Sequence, residues 1–186
     1  VGGYARSNLK GEIIKRLSAQ TGVSGDVINQ MLFAWAGNSN HGRWSEAVQQ
    51  EAAEMFGAGL SEWQRQPDKQ NTGMPVRPER VTWDEKHRPA IRKVLQQMYD
   101  NTQELFAHFG VKEVVLYRGT GLPDGINASD GGTIAFDDNA LASWTFGHEI
   151  GIRFLDRSGE MGVNAGVLAA KVPVDRILCT PYTGLG

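Results

Sequence analysis

The feature that most constrains the fold of this chain is a change of hydrophobic period at Gly110. Before it, apolar residues recur every three to four positions, which is the spacing of amphipathic helices. After it, short apolar runs rich in β-branched residues alternate with glycine-rich turns, as strands do. The order of these two patterns predicts an α+β fold in which a helical N-terminal region precedes a strand-rich core.

The first part of the chain predicts several helices with recognisable ends. We expect Ser24 to cap the second helix, Ser45 to start the third, and a capping box at 61–64 to open a short fourth. A longer apolar stripe then runs to Gly110, a typical helix-ending residue, and we expect Pro89 to break or restart that helix. The stripe consists of Ile91, Val94, Leu95, Met98, Tyr99, Leu105, Phe106 and Phe109.

Prolines and a glycine interrupt any regular pattern over residues 67–81, which predicts a linker. We therefore expect a helical subdomain at 1–66 and a second domain at 82–186. In the second domain one helix is predicted at 147–155. The predicted strands are 113–117, 133–136, 141–146, 167–172 and 176–179.

Composition excludes several functional classes. A net charge of −2 provides no global attraction to nucleic acid or acidic membranes. With Cys179 as the single cysteine, no disulfide forms within these 186 residues. No apolar run approaches the length of a membrane span, and no basic-then-apolar signal pattern opens the sequence. We expect no membrane partner.

The stretch Arg118-Gly119-Thr120 places an arginine where a predicted strand meets a glycine turn. A guanidinium offers a rigid fork of donors that matches a phosphate or carboxylate, and glycine lets a ligand approach the backbone. An ordinary surface arginine at a strand end fits the same pattern.

The stretch Ser143-Trp144-Thr145 lies in the predicted strand 141–146. Strand alternation would place the two hydroxyls on one face and Trp144 on the other, as in the wall of a polar cleft. Phe146 follows; it is a candidate to stack on a ligand ring, although a core aromatic is the commoner role. A half-buried sheet edge fits the same residues.

Together, these two stretches resemble the arginine–serine–glutamate class of ADP-ribosyltransferases, of the phage-associated and bacterial polymorphic-toxin type. The resemblance covers residues 82–186 and implies that family's split β-core and NAD⁺ as the substrate. It implies that Arg118 grips the NAD⁺ phosphate and ribose, that Ser143 orients the catalytic glutamate, and that Thr145 shapes the nicotinamide-ribose pocket. The implied contacts to NAD⁺ come from Arg118, Gly119, Thr120, Ser143, Trp144, Thr145 and Phe146.

The C-terminal tail extends this resemblance. Residues 172–181 are similar to the stretch that leads into the family's target-recognition loop, which would include Tyr182. The family then carries Glu/Gln-x-Glu on the next strand, whereas no acidic residue follows Asp175 here. We expect the Glu/Gln-x-Glu pair beyond Gly186, and we expect residues 1–186 alone to bind NAD⁺ weakly if at all and not to turn it over.

The resemblance further implies a toxin or effector that transfers ADP-ribose to a macromolecular target. A protein of an essential process such as translation is a more plausible target than nucleic acid, given the slightly acidic charge. An immunity protein is a further expected partner. We expect delivery by secretion or injection within a larger protein and action in the cytoplasm of a target cell.

Three other interpretations follow from the residues. His148-Glu149 suggests a metalloprotease helix, but the required second histidine is replaced by Ile152, so we expect no metal. Gly119 and Gly121 suggest a dinucleotide fingerprint, but Asp124 stands where the third glycine belongs. A non-catalytic structural or interaction module, such as a phage head-associated part or a toxin fragment held by an immunity protein, remains the alternative.

Overall fold

The structure is a computed structural model that describes residues 2–37, 43–58, 78–122, 126, 132–135, 141–155 and 164–184. In this part of the chain four helices come first. They are α1 (Gly2–Thr21), α2 (Gly25–Gly37), α3 (Arg43–Phe56) and α4 (Pro78–His108). Strand β1 (Glu113–Gly121), helix α5 (His148–Arg153), strand β2 (Ala165–Pro173) and a 3₁₀ turn (Val174–Arg176) follow. The predicted mixture of helix and strand, with helices first, is confirmed.

The chain divides into two compact units. The first comprises Val1–Leu105, Asp137–Leu141 and Leu178–Gly186, and the second comprises Phe106–Phe136 and Ala142–Ile177. Most of the predicted linker, at 67–77, lies outside the described residues. The domain boundaries inferred from the sequence stay a prediction about which parts fold independently.

The first unit is built around a core of apolar side chains from α1 to α4. The stripe of α4 predicted from the sequence lies in this core, where Ile91, Val94 and Leu95 are at most 1% exposed. Two arginines of α4 also pair with α3: Arg92 Nε lies 2.5 Å from a carboxylate oxygen of Glu51, and Arg88 Nε lies 2.6 Å from the other. The hydrogen bond that Arg92 donates to Glu51 raises the pKa of Arg92 above its ordinary value.

Two predicted helix ends are confirmed. The Ser24 hydroxyl accepts the Val27 N–H at 3.4 Å at the start of α2. At the end of α4, Gly110 has a φ of 65°, the left-handed conformation that glycine adopts without strain. The Val111 and Gly110 N–H groups donate to the carbonyls of Phe106 and Ala107, at 3.0 and 3.1 Å, in a Schellman arrangement.

Two other helix predictions are wrong. Ser45 is not a cap, because α3 begins at Arg43 and Ser45 is fully buried inside the helix. Pro89 does not break α4, which continues through it from Pro78 to His108. A proline removes a single N–H donor, and the pairs that Arg88 and Arg92 form with α3 hold the helix on both sides of it. The capping box at 61–64 lies outside the described residues.

In the second unit, β1 and β2 pair in antiparallel register from Glu113 opposite Pro173 to Gly121 opposite Ala165. The strands predicted at 113–117 and 167–172 are therefore confirmed, and both are longer than predicted. A salt bridge of 2.5 Å between Lys171 Nζ and Glu113 Oε1 joins their outer ends.

The other predicted strands are not strands. Residues 133–135 have no regular structure, and Phe136 lies outside the described part. In 141–146 only Thr145 forms a β-bridge, and the N–H and C=O of Leu141 are hydrogen-bonded to the Gln49 side chain. In 176–179, the Ile177 N–H closes the 3₁₀ turn onto Val174, and the Leu178 carbonyl accepts the Thr102 hydroxyl at 2.9 Å. A strand needs backbone groups that are available for a neighbouring strand.

Candidate functional site

The candidate site of the second unit begins at Arg118 in β1. Its side chain is half-buried, and its Nη1 donates a hydrogen bond of 2.8 Å to the backbone carbonyl of Ser143. The two residues are 25 positions apart in sequence, so the structure brings the predicted arginine and serine stretches together. The contact is made to the serine backbone, and the hydroxyl is not part of it.

The backbone next to this contact holds the two stretches side by side. The Tyr117 N–H donates to the Thr145 carbonyl at 2.7 Å, and the Thr145 N–H donates to the Tyr117 carbonyl at 2.8 Å. The Thr145 hydroxyl also accepts the Gly147 N–H at 3.2 Å, which turns the chain toward α5. Thr145 thus fixes both the pairing with β1 and the approach to the helix.

Helix α5 packs on one face of β1 through two glycines. A Cβ atom at Gly119 would lie 2.0 Å from the carbonyl oxygen of Gly151, so this close approach requires glycine at position 119. Because side chains alternate along a strand, Tyr117 and Gly119 face α5 while Arg118 points to the opposite face. Close packing against Gly151 therefore explains why position 119 holds a glycine. The contact of Gly119 with NAD⁺ stays a prediction.

The remaining predicted residues differ in exposure. Ser143 is exposed, whereas Thr120, Trp144 and Thr145 are half-buried. The expectation of a core position for Phe146 is wrong, because its side chain is 56% exposed. The segment that carries these residues is not a strand, so the predicted alternation of Ser143 and Trp144 does not follow.

Tyr182 belongs to the first unit and lies in a turn. The Tyr182 side chain is 66% exposed. The turn is held from within: the Thr183 hydroxyl accepts the Thr180 N–H at 2.8 Å and lies 2.6 Å from the buried hydroxyl of Thr102. The Tyr182 carbonyl accepts a hydrogen bond from the Arg16 guanidinium. An exposed aromatic on a well-anchored turn suits a recognition role, which stays a prediction.

Sequence reasoning missed two contributors to this arrangement. They are Gly151, which packs α5 closely on β1, and His148, whose ring meets the Tyr117 ring edge-on with the ring centroids 5.4 Å apart. A glycine within a helical pattern was a visible signal of close packing for Gly151. No local signal marks His148, because its partner Tyr117 is distant in sequence.

Among the described residues, no three histidine, cysteine, aspartate or glutamate side chains cluster in a way that could hold a metal ion. None of the described helices combines the length and apolar character needed to span a bilayer. Comparison of the chain with protein-family models, with curated proteins and with solved structures finds no match.

The arrangement combines a cation with hydroxyl and aromatic groups. A guanidinium carries five N–H donors in a planar fork, which suits it to bind a phosphate while it also contacts a carbonyl. The exposed Ser143 hydroxyl offers one donor and two acceptor lone pairs, and the exposed Phe146 ring offers a stacking surface. These groups suit a ligand that has anionic, hydroxyl-bearing and aromatic parts.

Proposed function

We propose that this chain is an NAD⁺-dependent mono-ADP-ribosyltransferase domain with a split β-core, of the arginine–serine–glutamate class. The observation that supports the proposal most is the 2.8 Å hydrogen bond from Arg118 to the Ser143 carbonyl, beside the backbone pair of Tyr117 and Thr145. The two stretches that carry the resemblance are far apart in sequence and adjacent in space. NAD⁺ has the diphosphate, ribose hydroxyls and aromatic rings that these groups suit.

Each residue has a distinct part in this proposal. Arg118 binds the diphosphate and ribose with its guanidinium fork. Ser143 orients the carboxylate that stabilises positive charge on the ribose, and Thr145 shapes the nicotinamide-ribose pocket. Cleavage of the nicotinamide–ribose bond passes through an oxocarbenium-like state, so the geometry of these groups matters more than their number. Thr120, Trp144 and Phe146 are the further NAD⁺ contacts of this proposal, together with the backbone of Gly119.

The product of the reaction is an ADP-ribosylated macromolecule. We propose a toxin or effector role, with a protein of an essential process as the target and an immunity protein as a second partner. Tyr182, exposed on its anchored turn, is the proposed contact to the target. Delivery as part of a larger protein and action in the cytoplasm of a target cell complete the proposal.

The test is a calorimetric titration with NAD⁺. Replacing Arg118→Lys keeps the positive charge and removes the planar fork, so the dissociation constant should rise about tenfold. Arg153→Lys, at an exposed arginine at the end of α5, is the matched control and should leave the affinity unchanged. Equal affinities for the wild type and Arg118→Lys would contradict the proposal.

A non-catalytic interaction module is the second candidate, and one observation favours it. Four large apolar side chains within nine residues are exposed, namely Phe146, Ile150, Ile152 and Phe154. Clusters of exposed apolar side chains often mark interaction sites. Thermal unfolding with and without NAD⁺ separates the candidates, because a ligand that binds the native state raises the melting temperature and an unrelated nucleotide does not.

A further inference from the structure

Three threonine hydroxyls lie buried beneath the turn that carries Tyr182. Thr102 of α4 is fully buried, and Thr180 and Thr183, on either side of Tyr182, are 7% and 5% exposed. The hydroxyl oxygens of Thr102 and Thr183 are 2.6 Å apart, and those of Thr183 and Thr180 are 3.1 Å apart. The Tyr182 N–H donates to the Thr180 hydroxyl at 3.3 Å. All four residues belong to the first unit, so the network lies within one compact body.

The hydrogen bonds of this network run in one direction. A threonine hydroxyl has one proton to donate and two lone pairs that accept. The Thr102 hydroxyl lies 2.7 and 2.9 Å from two backbone carbonyls, which can only accept, so it donates its proton there. The short contact with Thr183 then requires Thr183 to donate to Thr102, and Thr180 donates in turn to Thr183. A continuous chain of hydrogen bonds therefore leads from the Tyr182 N–H through three hydroxyls to α4.

Further hydrogen bonds fix the backbone of the same turn. The Thr180 N–H donates to the Thr183 hydroxyl at 2.8 Å. The Thr180 carbonyl accepts the N–H groups of Thr183 and Gly184 at 3.1 and 3.0 Å, and the Tyr182 carbonyl accepts the Arg16 guanidinium. The backbone is thus held on both sides of an aromatic side chain that is exposed.

Two side chains at this turn are of the kind that protein interfaces use most. Tyrosine and arginine are enriched among the residues that carry most of the binding energy in such interfaces. Tyr182 is exposed, and so is Arg16, whose guanidinium binds the Tyr182 carbonyl. A side chain on a backbone that is already fixed loses less conformational entropy when a partner binds it. The turn is therefore suited to a protein surface as its partner.

We propose that Tyr182 contacts a protein partner and that Thr102 is a positioning residue for this contact, acting through Thr183 and Thr180. That the partner is the target of ADP-ribose transfer rests on the function proposed above, whereas the contact and the role of Thr102 do not. Apolar residues at the three threonine positions would fill the same space without the cost of burying hydroxyls. They would, however, leave the N–H groups of Tyr182 and Thr180 without the acceptors that fix the turn.

A purely structural role of the network is the competing explanation. In that case, loss of the Thr102 hydroxyl lowers the stability of the first unit as a whole and changes nothing specific at the turn. Amide hydrogen exchange separates the two explanations, because it reports local opening as well as global unfolding. The amides to compare are those of Thr180 and Gly184, which are hydrogen-bonded within the turn, and that of Val94 in the core.

Thr102→Val keeps the shape of the side chain and breaks the network at its inner end. It should lower the protection of Thr180 and Gly184 about tenfold relative to Val94. Thr102→Ser retains the hydroxyl and should retain the protection. Thr21→Val is the matched control, because it removes a hydroxyl of the same unit that binds a carbonyl of α1. It should leave the relative protection of the turn at the wild-type value.

Thr180→Val is a second variant for the case in which Thr102→Val does not fold. It removes the hydroxyl that accepts the Tyr182 N–H and leaves the contact of Thr102 with Thr183 in place. The protection of the Tyr182 amide should fall about tenfold relative to Val94, because the amide loses its acceptor.

The contact itself is tested with p-benzoylphenylalanine, a photoreactive aromatic residue, in place of Tyr182. Irradiation in a bacterial cell lysate should give a discrete crosslinked product, and Thr102→Val should lower its yield about fivefold. The same residue in place of Leu9, an exposed apolar side chain of α1, is the matched control and should not give this product. The NAD⁺ affinity of Thr102→Val, measured by calorimetry, should equal that of the wild type.

The outcomes separate this inference from the proposed function. A local loss of protection together with a lower crosslinking yield supports the inference, and both results in a protein that binds no NAD⁺ support the protein contact and reject the transferase. Three results overturn the inference whatever the affinity for NAD⁺. They are protection that falls equally at Thr180, Gly184 and Val94, a crosslinking yield that stays unchanged when the turn loses protection, and the absence of a product specific to position 182.

Discussion

At the scale of the residue, the contact between Arg118 and Ser143 involves the backbone of Ser143 and leaves its hydroxyl out. The guanidinium binds the serine carbonyl, which any amino acid at position 143 would provide. The hydroxyl of Ser143 belongs to an exposed side chain, so its removal leaves no buried group without a partner. The described contacts therefore leave the Ser143 hydroxyl available to a ligand.

Ser143→Ala should lower the affinity for NAD⁺ and leave the melting temperature within about one degree of the wild type. Ser24→Ala is the control with the reverse pattern, because Ser24 caps α2 and its loss should cost about 1 kcal/mol of stability. Titration calorimetry and thermal unfolding of both variants make the comparison. Unchanged NAD⁺ affinity in Ser143→Ala would mean that the Ser143-Trp144-Thr145 stretch serves packing alone.

At the scale of the element, the glycine pair decides how α5 sits on β1. The Gly151 carbonyl occupies the space that a side chain at position 119 would need, and Gly151 is itself buried. Arg118, the preceding residue of β1, points to the opposite face of the strand. The helix and the strand are therefore held together by a backbone contact that tolerates no side chain at position 119.

Gly119→Ala should destabilise the second unit by about 1–3 kcal/mol, because its Cβ would clash with backbone that has to move. Gly151→Ala is the near control: its Cβ would meet Val167 Cγ1 at 3.3 Å, a contact that a side chain relieves by a small shift. Gly11→Ala, in the open interior of α1, should stabilise by up to about 1 kcal/mol. Denaturant unfolding measures all three, and a tolerated Gly119→Ala would contradict the described packing.

At the scale of the whole molecule, the two compact units differ in the apolar core that each contains. The core cluster of buried side chains, from Ile13 on α1 to Met98 on α4, belongs to the first unit. In the second unit the buried apolar side chains among the described residues are Phe106, Leu116 and Leu122. Since local stability follows buried apolar contact, the second unit should open more readily.

Native-state hydrogen exchange should therefore give lower opening free energies for the β1 and β2 amides than for the α4 amides around Val94 and Leu95. The pair Tyr117 and Thr145 should follow β1, because both belong to the second unit. Saturating NAD⁺ should raise the values in the second unit by mass action. One common opening free energy for both units, in the absence of NAD⁺, would contradict this expectation.

The sequence by itself determined the features that depend on neighbours a few residues away. The apolar stripe of α4, the Ser24 cap and the Gly110 helix end were all predicted, and so were the two strands that pair. Helix faces, caps and turns are set by spacing and by local backbone preference, both of which can be read from the residues. The predicted site stretches at Arg118 and Ser143 were found by such local patterns.

Only the tertiary structure decided what depends on distant partners. Residues 141–146 have the composition of a strand. The backbone groups of Leu141, however, form hydrogen bonds with the Gln49 side chain and are not available to a neighbouring strand. Arg88 and Arg92 of α4 pair with Glu51 on both sides of Pro89 and stabilise the helix there, although local preference predicts a break. Glycine at position 119 is required because the Gly151 carbonyl lies against it. In each case a hydrogen bond, an ion pair or a steric contact from far along the chain outweighs a local preference of about 1–3 kcal/mol.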